Sequence, residues 1–423
     1  MTSRERVIAA INHQQPDRIP VDFGSATVSG INISVMDDLR RYLKLPEKTA
    51  RLFCPFQMLA YVDENVRKML GVDIIGVFNP YNKFGLKNDE FKPFKLFNGK
   101  TVEISKGFAY TTDEQGNLYA YPQGDTSVPP SAKMPKNGCY FDNLVRNDDY
   151  DEDTSVGRED FKNTFSVFSE EVMRDMERQV EDYYNNTDYA ITIQFGQGSL
   201  GEPSILPGPS EKHPHGLRDF SEWLMAMYTN REYILDVCGY QTEIAMKNLV
   251  QYKEAFGDKI NIIQLSATDF GTQNGLFISP QMYRELYMPC LKQMTEWIHK
   301  NTSWKVFFHT CGSVVDLMED LIETGCDIVN PVQCSAKGMD PQMLKDRFGD
   351  RIVFHGGGVN TQETLPFGTP EEVEAEVHKR LEIFGKNGGY IFNTIHNIQY
   401  GTPVENIVRM FDTVRRFNDT HRW

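Results

Sequence analysis

The sequence predicts a (β/α)8 barrel, also called a TIM barrel, in which eight parallel strands alternate with helices. Two observations lead to this prediction. Short runs of β-branched and other apolar residues recur along the 423 residues, and segments with helical periodicity lie between most of them. The runs end where the sequence becomes polar or rich in glycine. We therefore expect a single barrel domain over residues 1–423.

The first two strands are predicted near the amino terminus. They lie at 18–24 and 73–77, with helices at about 33–44 and 56–70 between them. The other six strands are predicted at 189–195, 260–265, 304–309, 327–333, 352–355 and 390–396. Between the fourth and fifth of these eight strands, Ser279-Pro280 begins a helix whose apolar positions repeat with the helical period.

The alternation stops between strands 2 and 3. Short runs at 101–104, 108–112 and 117–121 are typical of an antiparallel meander, and an acidic loop follows at 147–153. We predict a β-rich insertion at about residues 84–160 that covers one mouth of the barrel.

Charge, apolar runs and cysteine content limit the partners and the cellular compartment that we expect. The chain has 44 Lys and Arg against 59 Asp and Glu, a net charge of −15, which disfavours nucleic acids and anionic membranes. No run approaches the roughly 20 apolar residues of a membrane span, and the first 20 residues lack a signal-peptide core. The seven cysteines are odd in number and widely spaced. We expect a reduced, cytoplasmic protein.

A candidate metal half-site follows the fifth predicted strand, at His309-Thr-Cys-Gly312. Residues i and i+2 of a strand point to the same face, so His309 and Cys311 would converge at the carboxyl end of the barrel. The last strand ends in His396, which opens onto the same mouth. Three ligands with one open position are typical of catalytic zinc, and mixed thiolate and imidazole ligands suit zinc. The alternative is a buried thiol beside hydrogen-bonded histidines.

Other polar side chains cluster at the predicted strand ends, where barrels place their sites. Asp269 is our candidate catalytic residue, as a proton donor, a partner of a zinc histidine or a fourth ligand; a loop or cap role is the alternative, and Glu202 is a second candidate. Cys334 could also ligate, whereas Cys326 lies at the opposite strand end. The candidate substrate-binding residues are Gln194, Gln273, Asn330, Gln333, His355 and Asn360.

Seven motifs together resemble the uroporphyrinogen decarboxylase superfamily. They are Pro16-Asp-Arg-Ile-Pro20, Phe308-His-Thr-Cys-Gly312, Gly325-Cys-Asp-Ile-Val-Asn-Pro-Val-Gln333, Phe348-Gly-Asp-Arg-Ile352, His355-Gly-Gly-Gly358, Gly368-Thr-Pro-Glu-Glu-Val373 and Pro403-Val-Glu-Asn-Ile407. The zinc-dependent branch of this superfamily consists of corrinoid methyltransferases. His309 and Cys311 match the His-X-Cys pair that binds zinc in that branch.

The third ligand departs from the methanol and methylamine enzymes of that branch, where a Gly-Cys pair is typical and this chain has Ile395-His396. The combination resembles O-demethylases of methoxylated aromatics. The resemblance implies a zinc cofactor, a partner corrinoid protein that carries cobalamin, and a possible homodimer.

Three alternatives remain. They are a decarboxylase of the uroporphyrinogen type, a methyltransferase for methanol, methylamines or quaternary amines, and a non-catalytic zinc- or corrinoid-binding barrel. The decarboxylase has an arginine-rich signature near its amino terminus, whereas residues 21–28 here contain no arginine.

Overall fold

In a computed structural model that describes residues 1–147, 149–202 and 206–421, the described residues form fifteen strands. The strands are β1 (Leu52–Cys54), β2 (Leu59–Ala60), β3 (Ile74–Val77), β4 (Phe91–Lys95), β5 (Thr101–Ser105), β6 (Tyr110–Thr112), β7 (Leu118–Ala120), β8 (Ala132–Met134), β9 (Asp142–Asn143), β10 (Ala190–Gln194), β11 (Ile262–Ser266), β12 (Lys305–His309), β13 (Ile328–Asn330), β14 (Val353–His355) and β15 (Tyr390–Ile391). Seven of them form one parallel sheet in the order β15-β14-β13-β12-β11-β10-β3.

Residues 20–22 join the two edges of this sheet. The Asp22 N–H donates to the carbonyl of Phe392 just after β15 (2.9 Å), and the Phe392 N–H donates to the carbonyl of Pro20 (2.8 Å). On the other edge, the Asp73 N–H just before β3 donates to the carbonyl of Val21 (2.8 Å). The segment predicted as the first strand therefore occupies the eighth position, and the prediction of a (β/α)8 barrel is confirmed.

Helices surround the sheet. They are α1 (Ser3–Ile11), α2 (Ile33–Tyr42), α3 (Glu64–Leu70), α4 (Gly157–Asp160), α5 (Glu170–Asn186), α6 (Phe220–Thr229), α7 (Arg231–Phe256), α8 (Pro280–Met282), α9 (Met288–Asn301), α10 (Met318–Glu323), α11 (Pro341–Phe348), α12 (Thr364–Phe367), α13 (Pro370–Phe384) and α14 (Val404–Thr420), with 3₁₀ turns at Thr27–Ser29, Pro122–Gly124 and Val315–Leu317. None of the helices described is long and apolar enough to cross a membrane.

The helix predicted to begin at Ser279-Pro280 has a π-helical turn at Tyr283–Tyr287, between α8 and α9. Ser279 caps it by accepting the N–H of Met282. Pro289 follows the wide turn and has no N–H to donate to the residue four positions earlier, so the normal α-helical hydrogen bond is lost there.

The inside of the barrel is a packed apolar layer. Each of the seven strands contributes one buried residue to a separate cluster, which α1 and residues 26–28 complete from either end. The strand residues in it are Ile74, Ala190, Ile262, Phe307, Ile328, Val353 and Ile391. The barrel is therefore filled below its carboxyl-terminal mouth, and a ligand can enter only from the loops above this layer.

Apart from α3 and β3, the elements between α2 and α4 are mainly short antiparallel strands. β1 pairs with β2, β4 with β5, and β6 to β9 form a four-stranded sheet. The prediction of a helix at 56–70 is wrong in its first half, because β2 and the loop before it occupy residues 56–60. The helix α3 begins only after Asp63, whose side chain accepts two helix N–H groups. A domain boundary at about 84–160 remains our proposal.

A buried carboxylate ties the amino terminus to the barrel. Asp73 is fully buried and accepts hydrogen bonds from Ser3 Oγ (2.7 Å), from a guanidinium nitrogen of Arg6 (2.7 Å) and from the Val21 N–H (3.0 Å). Arg18 lies 3.2 Å from the same carboxylate. This network holds α1 under the barrel next to the segment that closes it.

We expect Asp73→Asn to lower the free energy of unfolding by about 3 kcal/mol, the lower end of the range for breaking a buried ion pair, because the buried guanidinium of Arg6 then keeps only the exposed Asp17 as its charge partner. Urea denaturation followed by circular dichroism measures the change. Asp37→Asn is the matched control, since Asp37 pairs with an exposed Arg41 and the loss should stay below about 1 kcal/mol. Equal losses in the two variants would contradict the structural role of Asp73.

Candidate metal centre

His309 and Cys311 converge at the carboxyl end of β12. His309 is the last residue of the strand, and Cys311 follows two positions later. Cys311 Sγ lies 3.3 Å from His309 Nε2. Gly312 then turns the chain with φ +89°, where a Cβ would lie 2.4 Å from the backbone of Gly271. The glycine thus lets the loop after β12 pack directly on the loop after β11.

His396 approaches the pair from the loop after β15. The ring centres of His309 and His396 are 5.6 Å apart. One ligand atom from each of His309, Cys311 and His396 lies within 4.8 Å of the others. The three residues chosen from the sequence as metal ligands are therefore brought together, although β12 and β15 are three strands apart in the sheet.

Two asparagines orient the two imidazoles. His309 Nδ1 is 2.5 Å from Asn330 Oδ1, and His396 Nδ1 is 3.0 Å from Asn397 Oδ1. An amide oxygen only accepts, so each Nδ1 carries the proton and each Nε2 presents its lone pair. The amide of Asn397 is fixed because its nitrogen donates to the carbonyl of Thr27 (3.2 Å).

Asp269 lies beside the three candidate ligands. Its Oδ1 accepts the N–H of Cys311 (2.6 Å) and is 3.8 Å from His309 Nε2. Its side chain is 36% exposed, so it faces both the candidate ligands and the open cavity. This position fits either a proton donor to a bound molecule or a partner of the metal ligands.

Burial sets the protonation of the cluster. It lowers the pKa of His309, against the opposing charge of Asp269, and together with the nearby His309 it lowers the pKa of His396 to about 4. Both imidazoles are therefore neutral near pH 7. Burial, reinforced by Asp269, raises the pKa of the Cys311 thiol well above its usual value. A cation at the site would offset that cost and take the sulfur as thiolate.

The donor set fits one metal ion. Two neutral imidazole nitrogens and one sulfur match the ligands that zinc prefers, at bond lengths of about 2.0–2.1 Å and 2.3 Å. Three protein ligands leave a fourth position open. These residues could hold a metal ion with a coordination position facing the cavity.

A cavity of about 380 Å³ opens above the metal centre. His309, His396 and Asp269 lie among its lining residues, as do aromatic side chains and one lysine, Lys83. The aromatic lining residues are Phe53, Phe78, Tyr81 and Phe195. The rings of Phe53 and Phe78 pack with their centres 4.8 Å apart and form an apolar wall.

The hairpin of β1 and β2 and the loop after β3 form much of the wall, through residues 53–57 and 78–83. Residues farther along pack behind this hairpin, where the N–H of Phe141 donates to the carbonyl of Phe56 (2.8 Å). Of residues 84–160 described, Asn88 lines the cavity. A role of the whole segment as a cover remains a proposal.

The predicted substrate-binding residues are placed in three different ways. Gln194 lines the cavity and donates to Thr27 Oγ1 (2.9 Å) and to Gln264 Oε1 (3.1 Å). Gln273 and Gln333 bind each other (2.8 Å), and Gln333 also accepts the Gly312 N–H (2.7 Å). These two glutamines therefore tie together the loops after β11, β12 and β13.

Like Gln273 and Gln333, the remaining three do not line the cavity. Asn330 and His355 are buried behind His309, in contact with each other (2.9 Å). Asn360 stabilises its own loop, where its Oδ1 accepts the N–H of Gln362 (2.9 Å). The structure thus brings Asn360 neither to the metal centre nor to the cavity.

The residues missed in the sequence include the cavity residues Phe53, Phe78, Tyr81 and Lys83 and four others that hydrogen-bond to predicted site residues. Thr27, Gln264, Asn397 and Asp22 all contact predicted site residues through their side chains or backbone. Gln264 lies inside β11, one residue before the end of the strand predicted at 260–265, and Asp22 lies in the first predicted strand. Thr27 and Asn397 lie in loops, where strand periodicity gives no signal.

Comparisons with known proteins agree with this fold. A model of the family "Uroporphyrinogen decarboxylase (URO-D)" matches residues 214–417. The uroporphyrinogen decarboxylase of Coxiella burnetii is 26% identical over 153 residues, which cover 35% of this chain and 40% of that protein. That of Chlorobium phaeovibrioides is 29% identical over 144 residues, 33% of this chain and 38% of that protein. The chain thus spans about two fifths of the length of these relatives.

A solved structure of a methyltransferase from Methanosarcina mazei aligns over 99% of both chains, with a TM-score of 0.56 and 14% sequence identity. This likeness shows a shared fold. The family match to residues 214–417 is consistent with the resemblance of this sequence to the uroporphyrinogen decarboxylase superfamily.

We expect Cys311→Ala and His396→Ala to lower the affinity for zinc by more than about 100-fold, because each removes a direct ligand, and ligand losses exceed the 10- to 100-fold typical of outer contacts. Competition with a chromophoric chelator measures the affinity. Cys334→Ala is the matched control, because this thiol lies outside the three-residue cluster. Unchanged zinc affinity in both ligand variants would rule out the site.

Proposed function

We propose that this protein is a zinc-dependent methyltransferase that moves a methyl group from a methoxylated aromatic compound to the cob(I)alamin of a separate corrinoid protein. The observation that carries the proposal is the cluster of His309, Cys311 and His396, whose two imidazoles line a cavity with aromatic walls. Similarity to the uroporphyrinogen decarboxylase family and to the fold of a methyltransferase supports the reaction class.

The metal centre meets the chemical need of this reaction. An aryl methyl ether is a poor methyl donor because its oxygen leaves as a phenolate. Zinc bound at the open site would act as a Lewis acid on the ether oxygen. His309 and His396 serve as neutral ligands, so Cys311 is the single anionic ligand of the three and the ion keeps more positive charge than with two thiolates.

The cavity suits an aromatic donor of one ring. Its volume of about 380 Å³ is near the lower end of the roughly 300–1,000 Å³ typical of small-molecule sites. Phe53 and Phe78 offer ring faces and edges against which a second aromatic ring can pack. Lys83 is the one cation among the cavity residues that the structure describes, and it suits a donor with a single anionic substituent.

Asp269 is the candidate for proton transfer. When the methyl group leaves, the electron pair of the C–O bond stays on the oxygen, which then takes up a proton. Asp269 faces the cavity beside the metal ligands, and the Cys311 N–H holds its Oδ1 at 2.6 Å. In this role Asp269 takes up a proton from water in the open cavity and passes it to the product oxygen. Glu202, which also lines the cavity, is the alternative donor.

Decarboxylation is the second candidate, because the family match and the relatives found are uroporphyrinogen decarboxylases. A substrate with eight carboxylates needs several cationic side chains. The described lining of the cavity supplies Lys83 alone. This difference favours methyl transfer. Methanol, methylamines and quaternary amines remain alternative donors within the same reaction class.

The direct test mixes zinc-loaded protein with free cob(I)alamin and, in separate reactions, methoxyarenes, methanol, methylamines and uroporphyrinogen. We expect methylcobalamin to form with methoxyarenes, as followed by visible absorption, and metal-free protein to be inactive. Full activity of the metal-free protein, or turnover of uroporphyrinogen alone, would overturn the proposal.

Variants of the two cavity carboxylates identify the proton donor in the same assay. Asp269→Asn should lower kcat by at least about 100-fold with little change in KM, because the proton is needed only as the bond breaks. Glu202→Gln is the matched variant and should keep most of the kcat. The reverse result would assign proton transfer to Glu202 in place of Asp269.

A further inference from the structure

A chain of hydrogen bonds runs from the back of His309 to a carboxylate buried in the barrel. His309 Nδ1 is 2.5 Å from Asn330 Oδ1, and Asn330 Nδ2 is 2.9 Å from His355 Nδ1. His355 Nε2 is in turn 3.0 Å from Asp22 Oδ2. The four side chains come from β12, β13, β14 and the segment that closes the barrel. The chain therefore links three neighbouring strands and then passes β15 to reach the closing segment.

The direction of each donor follows from one backbone contact. Asn330 Nδ2 is 3.0 Å from the carbonyl oxygen of His355, which can only accept, so the amide nitrogen is on that side and the amide oxygen faces His309. The second hydrogen of the same nitrogen points to His355 Nδ1, which accepts it. The proton of the His355 ring then lies on Nε2 and is donated to Asp22. Every donor in the chain has an acceptor.

The carboxylate at the end of the chain is deeply buried. Asp22 is 1% exposed, and its Oδ2 also accepts the hydroxyl of Ser25 (2.8 Å). Its Oδ1 has no hydrogen-bond partner among the described residues. Asp22, Ser25 and His355 line a small cavity of about 10 Å³, roughly the size of one water molecule. Burying a carboxylate with so few hydrogen-bond donors lowers the stability of the fold, so a role of Asp22 outside stability is the simpler explanation.

We propose that Asp22 and His355 are positioning residues for the metal centre, acting on His309 through Asn330. They hold the His309 ring in the tautomer that presents Nε2 to the metal, and they draw the Nδ1 proton toward the amide, which makes Nε2 a stronger donor. This inference rests on the proposed metal-dependent function. It also gives Asn330 and His355, which were predicted to bind substrate, a different role.

The test compares Asp22→Asn and His355→Gln, which we call the relay variants, with the wild-type chain. The first keeps the shape of the side chain and removes its charge, and the second breaks the chain between Asn330 and Asp22. The matched control is His299→Gln. His299 makes the same kind of contact with a carboxylate, Asp327 Oδ2 (2.7 Å), but at the amino-terminal end of the sheet, far from the metal centre.

Three readouts separate positioning from mere stability. Competition with a chelator gives the zinc affinity, the visible spectrum of the cobalt(II)-substituted protein reports on the ligand geometry, and ¹⁵N NMR of labelled histidine gives the tautomer of His309. We expect the two relay variants to lose about 10- to 100-fold in zinc affinity, to shift the cobalt spectrum and to lose the single Nδ1–H tautomer. His299→Gln should match the wild type in all three.

Wild-type zinc affinity and cobalt spectra in both relay variants would overturn the proposal. So would a fall in melting temperature with no change in the metal readouts, since that result marks a purely structural contact. The outcome is independent of methyl transfer. If no methyl donor is found and the relay variants still weaken zinc binding, the proposed reaction fails and the positioning role stands.

Discussion

Three backbone hydrogen bonds made by residues 20–22 join the edge strands of the parallel sheet, and the geometry of the site follows from this closure. His309 ends β12 and His396 follows β15, three strands away, so in a flat sheet their side chains would lie far apart. The closed barrel turns both toward one axis above the filled apolar layer. The same closing segment carries Asp22 to His355. Closure of the barrel and support of the candidate ligand therefore depend on one short stretch of chain.

Much of the fold was predictable because parallel barrel strands are buried on both faces and read as short β-branched runs. The segment predicted as the first strand, 18–24, closes the barrel but forms no regular strand, because it pairs only through residues 20–22 and Pro20 has no N–H to donate. The first half of the helix predicted at 56–70 was wrong for a physical reason. The β1–β2 hairpin is stabilised by contacts with residues distant in sequence, such as the hydrogen bond from the Phe141 N–H to the Phe56 carbonyl. The spacing of apolar residues within 56–70 does not predict such contacts.

The candidate site was predictable where its residues follow strands. His309 and Cys311 share a face by spacing, and His396 follows from the end of the last strand. The sequence does not show which of the other polar side chains at strand ends reach the cavity and which are buried below it. Asn330 and His355 look like cavity residues from their positions, yet their side chains are buried inside the barrel behind His309, where they meet each other. Which way such a side chain points depends on packing among neighbouring strands, and that information is absent from any single strand.

X-ray absorption at the zinc edge of the metal-loaded protein tests the central claim most directly, because it reads the ligand atoms themselves. One sulfur at about 2.3 Å and two imidazole nitrogens at about 2.0–2.1 Å are expected, with a light atom in the fourth position. The sulfur contribution should disappear in Cys311→Ala. A spectrum of nitrogen and oxygen ligands without sulfur in the wild-type protein would contradict a metal centre formed by His309, Cys311 and His396.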